Sequence, residues 1–199
     1  MIYYEAKDFP ADGLEATGED AKVHVPAGTA WRNYKLFGDQ GGSITVDGDG
    51  NGSAYRWGDG DGDAVRSGDG RGYAHRSGAG NGNAWRSGNG DGSAYRWGDG
   101  NGDAYRNGGG DGSAWRSGDG DGHAVRYGKG NGNAWREDDG TGDARRYGDG
   151  DGTARRSGTG KGIAVRDGEG DGSAYSEVEE KQMTDELTEG ELDIENSNR

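Results

Sequence analysis

Cysteine is absent from the chain, and proline, phenylalanine and methionine occur only twice each among 199 residues. The lack of cysteine excludes a disulfide framework and a cysteine-ligated zinc site. Hydrophobic residues make up 28% of the sequence, whereas an ordinary soluble domain has roughly 45–50%. The side chains of a large aliphatic core are therefore missing, which excludes an α/β enzyme built on long Val/Ile/Leu strands.

Long apolar segments are missing as well. No uninterrupted apolar run is longer than a few residues, so we expect no insertion into a membrane. Residues Met1–Asp8 lack the basic region and the apolar stretch of a secretory signal peptide. We therefore expect no export by that route.

Glycine, in contrast, supplies 46 residues and keeps a strict register. From Gly50 to Gly172 the chain repeats x-Gly-x-Ala-x-Arg-x-Gly-x-Gly, so the last digit of a residue number gives its position in the repeat. Alanine fills position 4 from Ala54 to Ala174, and arginine fills position 6 from Arg56 to Arg166. Such a register predicts a repeat architecture, whereas composition alone would suggest a flexible, disordered chain.

The constant residues occupy even positions and the variable residues occupy odd ones. Because side chains alternate between the two faces of a strand, each set would line one face. The two units before the array carry Tyr34 and Leu36, then Ile44 and Val46, at positions 4 and 6. These apolar residues indicate that the even positions face inward. A period of ten excludes collagen and polyglycine II, which need three, and differs from the nine of calcium-binding nonapeptide repeats.

The sequence therefore predicts an all-β fold, a narrow β-solenoid with ten residues per coil. The segment x-Ala-x-Arg-x would form a short strand and Gly-x-Gly-x-Gly a turn, with Asp or Asn between the glycines at positive φ. We expect residues 1–46 to form an N-terminal cap and residues 47–176 to form the solenoid. Residues 177–199 would be an acidic tail, either an amphipathic helix or a disordered extension.

The arginine column poses an electrostatic problem, because an unpaired buried charge costs several kcal/mol. We expect each arginine at a corner, its stem packed on Gly and Ala. Its guanidinium group would bond to carbonyls of the neighbouring turn or to the Asp residues of positions 9 and 1. The alternative is that the arginine column binds phosphate or nucleic acid.

All aromatic residues of the array fall at odd positions, so we expect a stripe of large exposed side chains along the rod. One interpretation is that they stabilise neighbouring coils by stacking. The other is recognition, because Tyr and Trp among Ser, Asn, Asp and Gly are typical of binding surfaces. The candidate partner-binding residues are Tyr55, Trp57, Trp85, Tyr95, Trp97, Tyr105, Trp115 and Trp135.

The net charge is −14, and half of it lies in the tail from Glu177, which carries a net −7, against −4 in residues 41–176. Direct binding of nucleic acid is therefore not expected. Mimicry of a nucleic acid by an acidic rod stays open, although the modest charge of the array weakens it.

Catalytic chemistry has few candidates. His24, His75 and His123 are far apart in sequence and are expected to be isolated surface residues. No nucleophile elbow or phosphate-binding loop is present, so we expect no enzyme and no cofactor. The run Asp59–Asp63 offers carboxylates suited to calcium, but few other units have this density of acids.

Over roughly residues 47–176, the Gly-x-Gly-x-Gly-x-Ala-x-Arg decapeptide resembles glycine-rich repeat proteins of bacteriophages and prophages, whose function is unassigned. The resemblance and the variable aromatic positions suggest a non-catalytic protein that binds a host protein, for instance as an inhibitor. The alternative is an adhesin that recognises a glycan or an outer-membrane protein. We expect the protein in the cytoplasm of a host cell or in a phage particle.

Overall fold

The computed structural model describes residues 1–176, and in this part of the chain every regular element is a β-strand. Eighteen short strands stack in parallel into two sheets of nine strands each. Strands alternate between the two sheets along the chain, so that the chain winds as a solenoid of about nine turns. The predicted all-β solenoid is confirmed.

One sheet, called sheet A, contains the odd-numbered strands in chain order. Its strands are β1 (Ile2–Glu5), β3 (Ala21–His24), β5 (Ile44–Asp47), β7 (Ala64–Arg66), β9 (Ala84–Ser87), β11 (Ala104–Asn107), β13 (Ala124–Tyr127), β15 (Ala144–Tyr147) and β17 (Ala164–Asp167). Sheet A also includes the first strand of the chain, so residues 1–46 continue the rod rather than stand apart from it.

The opposite sheet, sheet B, contains the even-numbered strands. They are β2 (Leu14–Glu15), β4 (Asn33–Phe37), β6 (Ser53–Trp57), β8 (Ala74–Ser77), β10 (Ala94–Trp97), β12 (Ala114–Ser117), β14 (Ala134–Arg136), β16 (Ala154–Arg156) and β18 (Ala174–Ser176). Each repeat therefore supplies one strand and one corner, as the sequence predicted.

The strand register corrects the predicted length of a coil. Ala94 of β10 pairs with Ala74 on one side and with Ala114 on the other, so that neighbours within a sheet lie twenty residues apart. A ten-residue unit makes one strand and one corner, and two corners are needed to return the chain above its starting point. One full turn therefore takes two repeats, and nine strands at about 4.8 Å give a rod about 40 Å long.

Backbone hydrogen bonds join successive turns through the strands and through the corners. The amide of Ala94 donates to the carbonyl of Ser113 at 2.9 Å, and the corner amide of Gly92 donates to Asp111 at 3.0 Å. The parallel ladder therefore continues around the rod instead of stopping at the strand ends, and it supplies cohesion that a small apolar core cannot.

The corners differ from the prediction in how Asp and Asn are used. Glycines such as Gly98 of position 8, with φ at 112°, take the positive φ values, and Asp138 is the one non-glycine residue of 1–176 that does so. Asp and Asn instead accept hydrogen bonds from the next turn. The carboxylate of Asp61, for example, accepts the amide of Asn81 at 2.8 Å. These short polar side chains pair amides that the corners leave exposed.

The interior changes along the rod. In the first turns it is an apolar cluster that includes Phe9, Val23, Tyr34, Ile44 and Val46, each at most 2% exposed. Beyond them the interior consists of the alanine and arginine columns. The assignment of even positions to the inside is confirmed.

The predicted acidic tail, residues 177–199, lies outside the described residues. In residues 1–176 there is no helix that is long and apolar enough to cross a membrane.

Candidate functional site

The arginines of position 6 lie inside the rod, and Arg56 to Arg146 have no exposed surface. Arg86 shows the arrangement in full, because its guanidinium group donates five hydrogen bonds, as many as it has N–H groups. The acceptors are backbone carbonyls of Gly68, Gly70, Gly72, Ser87 and Gly90. Three of them belong to the corner one turn below, and the other two are the last residue of β9 and a glycine of the corner that follows it, so Arg86 links two layers.

The expected carbonyl contacts are confirmed, whereas the expected contacts with Asp are not. Within residues 1–176 no ion pair involves an arginine of position 6. Burial, together with the guanidinium groups of Arg106 and Arg66 one turn away on either side, lowers the pKa of Arg86 to about 9. The interior thus holds stacked cations that are solvated by backbone carbonyls.

The acidic exterior balances these cations at a distance. Burial is the largest influence on Arg76 and lowers its pKa to about 10, and the nearby carboxylates of Asp61, Asp59 and Asp63 oppose this shift. These three carboxylates therefore act as counter-charges for Arg76 through the wall of the rod.

The aromatic residues of the array lie on the outside, as predicted, but they do not form one stripe. Successive repeats alternate between the sheets, which divides the eight candidate residues between opposite faces. Sheet A carries Trp85 and Tyr105. Sheet B carries Tyr55, Trp57, Tyr95, Trp97, Trp115 and Trp135. The predicted single stripe is therefore wrong.

On sheet A the rings stack on one another. Trp85 and Tyr105 have ring centroids 4.3 Å apart and planes 19° apart, and Tyr127 and Tyr147 have values of 4.9 Å and 13°. Parallel stacking covers one face of each ring and holds neighbouring turns together. This arrangement supports the stacking interpretation for sheet A.

On sheet B six rings surround an open cleft of about 450 Å³. We call it the aromatic cleft, and its residues are Tyr55, Trp57, Tyr73, His75, Tyr95 and Trp97. They come from β6, β8 and β10 and from the residue just before β8. The volume lies within the usual range of ligand pockets, roughly 300–1,000 Å³.

Small and large residues alternate along position 7 and open the aromatic cleft. Trp57 and Trp97 belong to β6 and β10, and Ser77 lies between them on β8. The two tryptophans are therefore two strand spacings apart, about 9.6 Å, with Ser77 between them at position 7 and the imidazole of His75 in contact with both rings. The aromatic cleft is therefore bounded by the two indoles and by the imidazole between them.

His75 lies between the rings on β8. Its imidazole makes edge contacts with Trp57 and Trp97, at centroid distances of 6.5 and 5.0 Å and interplanar angles of 84° and 81°. Edge contacts of this kind leave ring faces uncovered, in contrast to the stacked pairs of sheet A.

The imidazole of His75 is neutral at ordinary pH, because burial lowers its pKa to about 4. Its Nδ1 lies 3.5 Å from the indole Nε1 of Trp57, a long contact for a hydrogen bond. Its buried Nε2 has no hydrogen-bond partner among the described residues.

A cation of the chain already lies on the aromatic surface. The ammonium group of Lys35, on β4, is 5.6 Å from the centroid of the Trp57 ring. Trp115 and Trp135 continue the surface in the other direction, in an edge contact at 4.7 Å. The face of sheet B is therefore aromatic over at least five strands.

Sequence reasoning missed Tyr73 and His75 as site residues, and it took His75 for an isolated surface residue. The signal was a second period of twenty, because adding twenty to a residue number gives its neighbour on the same face. Tyr55, His75 and Tyr95 are therefore neighbours on adjacent strands of sheet B. Trp57, Ser77 and Trp97 are neighbours in the same way.

The remaining polar candidates have structural partners. His24 contacts Asp47 at 3.1 Å and His123 lies 3.7 Å from Asp143. In the run proposed for calcium, Asp59 accepts the amide of Ala79 at 2.9 Å. Over residues 1–176 no three His, Asp or Glu side chains are grouped to hold a metal ion.

Comparison with protein-family models, with curated proteins and with solved structures finds no match to this chain. The resemblance to phage decapeptide-repeat proteins therefore stays a prediction.

Proposed function

We propose that this protein is a non-catalytic binding protein whose rigid rod presents the aromatic face of sheet B to a macromolecular partner. The observation that carries the proposal is the aromatic cleft, where large rings remain open to solvent. Trp57, Tyr73 and Trp97 are 39%, 38% and 46% exposed. Surface aromatic residues of this size are the residues that most often dominate the energy of protein interfaces.

The contrast between the two sheets supports this function for sheet B. On sheet A the rings of Trp85 and Tyr105, and those of Tyr127 and Tyr147, stack in parallel and contact one another across neighbouring turns, although Trp85 is still 41% exposed. Ser77 between Trp57 and Trp97 removes the ring that would complete such a stack. The cleft residues therefore leave ring surface available for a partner.

The scaffold also favours binding because it is preorganised. Backbone ladders fix the strands that carry the cleft, and the buried arginines join each corner to the next. A rigid surface loses little conformational entropy when it binds, so more of the contact energy remains as affinity.

The test is capture of partners from bacterial lysate and from isolated cell envelopes by the tagged protein. The variant Trp57→Ser/Trp97→Ser removes the walls of the cleft, and Trp85→Ser/Tyr105→Ser removes the stacked pair of the opposite face. Loss of a partner with the first variant only supports the proposal. A soluble partner would favour a host protein as target, and an envelope component would favour an adhesin. Equal capture by both variants and by the unchanged protein would contradict it.

A further inference from the structure

We infer that the aromatic cleft binds the cationic side chain of a basic polypeptide segment, an arginine or a lysine held between Trp57 and Trp97. This inference rests on the proposed function and names the chemistry of the partner. It follows from the ring surfaces, from the carboxylates beside them and from the cation that the chain itself places there.

The ring faces provide the first part of the site. An ammonium or guanidinium group is attracted to the negative face of an aromatic ring, and tryptophan attracts it most strongly. Lys35 shows this contact inside the chain, with its ammonium group 5.6 Å from the Trp57 centroid. On the other side of Trp57, toward β8, lies the imidazole of His75, with its centroid 6.5 Å from that of the Trp57 ring, and the aromatic cleft is open to solvent beside the two rings.

Carboxylates provide the second part. Asp59 and Asp99 follow Trp57 and Trp97 by two residues, at the corner that borders this side of the cleft, and both are exposed. One oxygen of each accepts an amide of the next turn, Ala79 for Asp59 and Asp119 for Asp99. Their second oxygens have no hydrogen-bond partner among the described residues. The amide bond of Asp59 is 2.9 Å long and that of Asp99 is 3.4 Å, so Asp59 is held more firmly, and the second oxygen of each can pair with a cation.

The other border of the cleft is also acidic on balance. Arg71 lies there, but its guanidinium group is 3.6 Å from the carboxylate of Asp91, and Asp111 follows in the next turn of the same sheet edge. The whole chain carries a net charge of −14, which attracts basic partners over a longer range.

The centre of the cleft does not repel a cation. His75 is uncharged above acidic pH because burial lowers its pKa to about 4. The cleft therefore offers a cation a neutral floor, aromatic walls and carboxylates at the rim.

Titration calorimetry tests the inference with two defined peptides. One carries three arginines separated by glycines, and the other has citrulline, a neutral analogue of the same shape, in their place. We expect the arginine peptide to bind the full-length protein at least tenfold more tightly than the citrulline peptide. The affinity should fall with added salt, because exposed charges contribute to it.

Three variants locate the site. Trp57→Ser/Trp97→Ser should weaken binding of the arginine peptide at least tenfold, and the matched Trp85→Ser/Tyr105→Ser should leave it within twofold. Asp59→Asn/Asp99→Asn should weaken it threefold or more. This last pair should keep the fold, because Asn at the same position of another repeat accepts the equivalent amide bond, as Asn89 does from Gly109.

Equal binding of the two peptides, or unchanged binding by the Trp57/Trp97 variant, would overturn the inference.

A chitin or cellulose oligosaccharide is the alternative ligand to test. If it binds in place of the peptide, and if the Trp57/Trp97 variant loses that binding, the cleft is a sugar site. The proposed function would then stand while the cationic partner would be wrong. If no probe binds but capture from lysate still requires the two tryptophans, again only this inference fails. If substitution of the two tryptophans also leaves capture from lysate unchanged, both this inference and the proposed function fail.

Discussion

The first turns of the rod and the repeat turns have the same two sheets but different interiors. Phe9, Tyr34, Ile44 and Val46 fill the first turns with apolar side chains. In the repeat turns an alanine and an arginine per unit occupy the same positions. Apolar side chains stabilise the first region by leaving water, whereas carbonyl-bonded guanidinium groups stabilise the second. The interior of the same two-sheet fold can therefore be stabilised either by apolar packing or by hydrogen-bonded guanidinium groups.

The arginine interior depends on many hydrogen bonds to backbone carbonyls. Arg86 uses all five of its N–H groups, whereas the buried Nε of Arg76, Arg96, Arg106, Arg146 and Arg156 has no partner among the described residues. An apolar core tolerates the loss of a methyl group in proportion to the volume removed. In the arginine interior, each guanidinium group or carbonyl that loses its partner pays a desolvation penalty instead. Arg32 of the first turns combines both kinds of interaction. Its guanidinium group donates to the Ala6 carbonyl at 2.9 Å and lies 5.6 Å from the centroid of the Tyr34 ring.

The largest effect should come from removing one interior arginine. Arg106 donates to the carbonyls of Gly88, Gly90 and Gly110, so Arg106→Ala leaves a cavity and a Gly88 carbonyl without its donor. The carbonyls of Gly90 and Gly110 keep one donor each, from Arg86 and Arg126. We expect a loss of about 4 kcal/mol in the free energy of unfolding, against about 2 kcal/mol for Val46→Ala in the first turns. Denaturant unfolding measures both.

Arg106→Lys is the control for charge. It keeps the cation but not the planar set of donors, so it should destabilise the rod nearly as much as Arg106→Ala. A stable Lys variant would mean that charge matters more than the hydrogen bonds, and the comparison of the two interiors would need revision.

The next largest effect concerns glycine. A Cβ at Gly70 would lie 2.1 Å from the carbonyl oxygen of Gly50 in the turn below, whereas a Cβ at Gly28 meets nothing within 4 Å. Gly70→Ala should therefore cost about 3 kcal/mol because the turns must separate. Gly28→Ala should cost only about 1 kcal/mol, for its φ of 82°. Melting temperatures of the two variants give the ranking, and equal values would argue against close stacking of the corners.

A smaller effect is expected at the polar corners. Asp61→Ala removes the acceptor of the Asn81 amide and should cost about 0.5 kcal/mol, since water replaces part of the bond. Asp61→Asn should be nearly neutral. Asp20 pairs with the Ser43 amide at 2.9 Å in the first turns, so Asp20→Ala should behave in the same way. Different results at the two sites, measured by thermal unfolding, would show that the corners of the two regions are not equivalent.

The smallest effect should appear on acidification. Burial alone would raise the pKa of Asp47, but its bonds with Lys22 and His24 outweigh burial and lower that pKa below the ordinary value. A lowered carboxyl pKa means that the stabilisation is present above the ordinary pKa, near 4, and is lost as the pH falls through the folded-state value. Between pH 6 and pH 3 the wild type should therefore lose slightly more stability than Asp47→Asn. Equal losses would show that this pair contributes nothing.

Much of the fold could be predicted from the sequence, because the residue types at the constant positions indicate which positions are buried. Alternation placed Ala54 and Arg56 inside and Tyr55 outside, and Tyr34 and Leu36 marked the interior of the first turns. Backbone carbonyls were one of the two sets of acceptors predicted for the arginines, and the structure shows these and not the Asp residues of positions 9 and 1. The number of residues in a full turn could not be predicted from the repeat. Both halves of a turn have the same ten-residue sequence pattern, so the period of the sequence is ten whether a turn contains one repeat or two.

The same ambiguity limited the prediction of the site. Trp85 and Trp97 look equivalent in a ten-residue repeat, and only the pairing of residues twenty apart places them on opposite faces. The prediction that the candidate aromatic residues lie on the outside of the rod was correct. The prediction that they lie next to one another in one stripe was wrong. His75 was missed because its position between Trp57 and Trp97 depends on that pairing.

The sequence by itself determined the parallel β-solenoid, its inward and outward positions and its arginine-lined interior, because alternation along a strand is a local property of the backbone. The tertiary structure decided that a turn needs two repeats, which aromatic residues share a face and where the aromatic cleft opens. These features depend on which strands lie side by side, and hydrogen bonding between distant parts of the chain sets that arrangement.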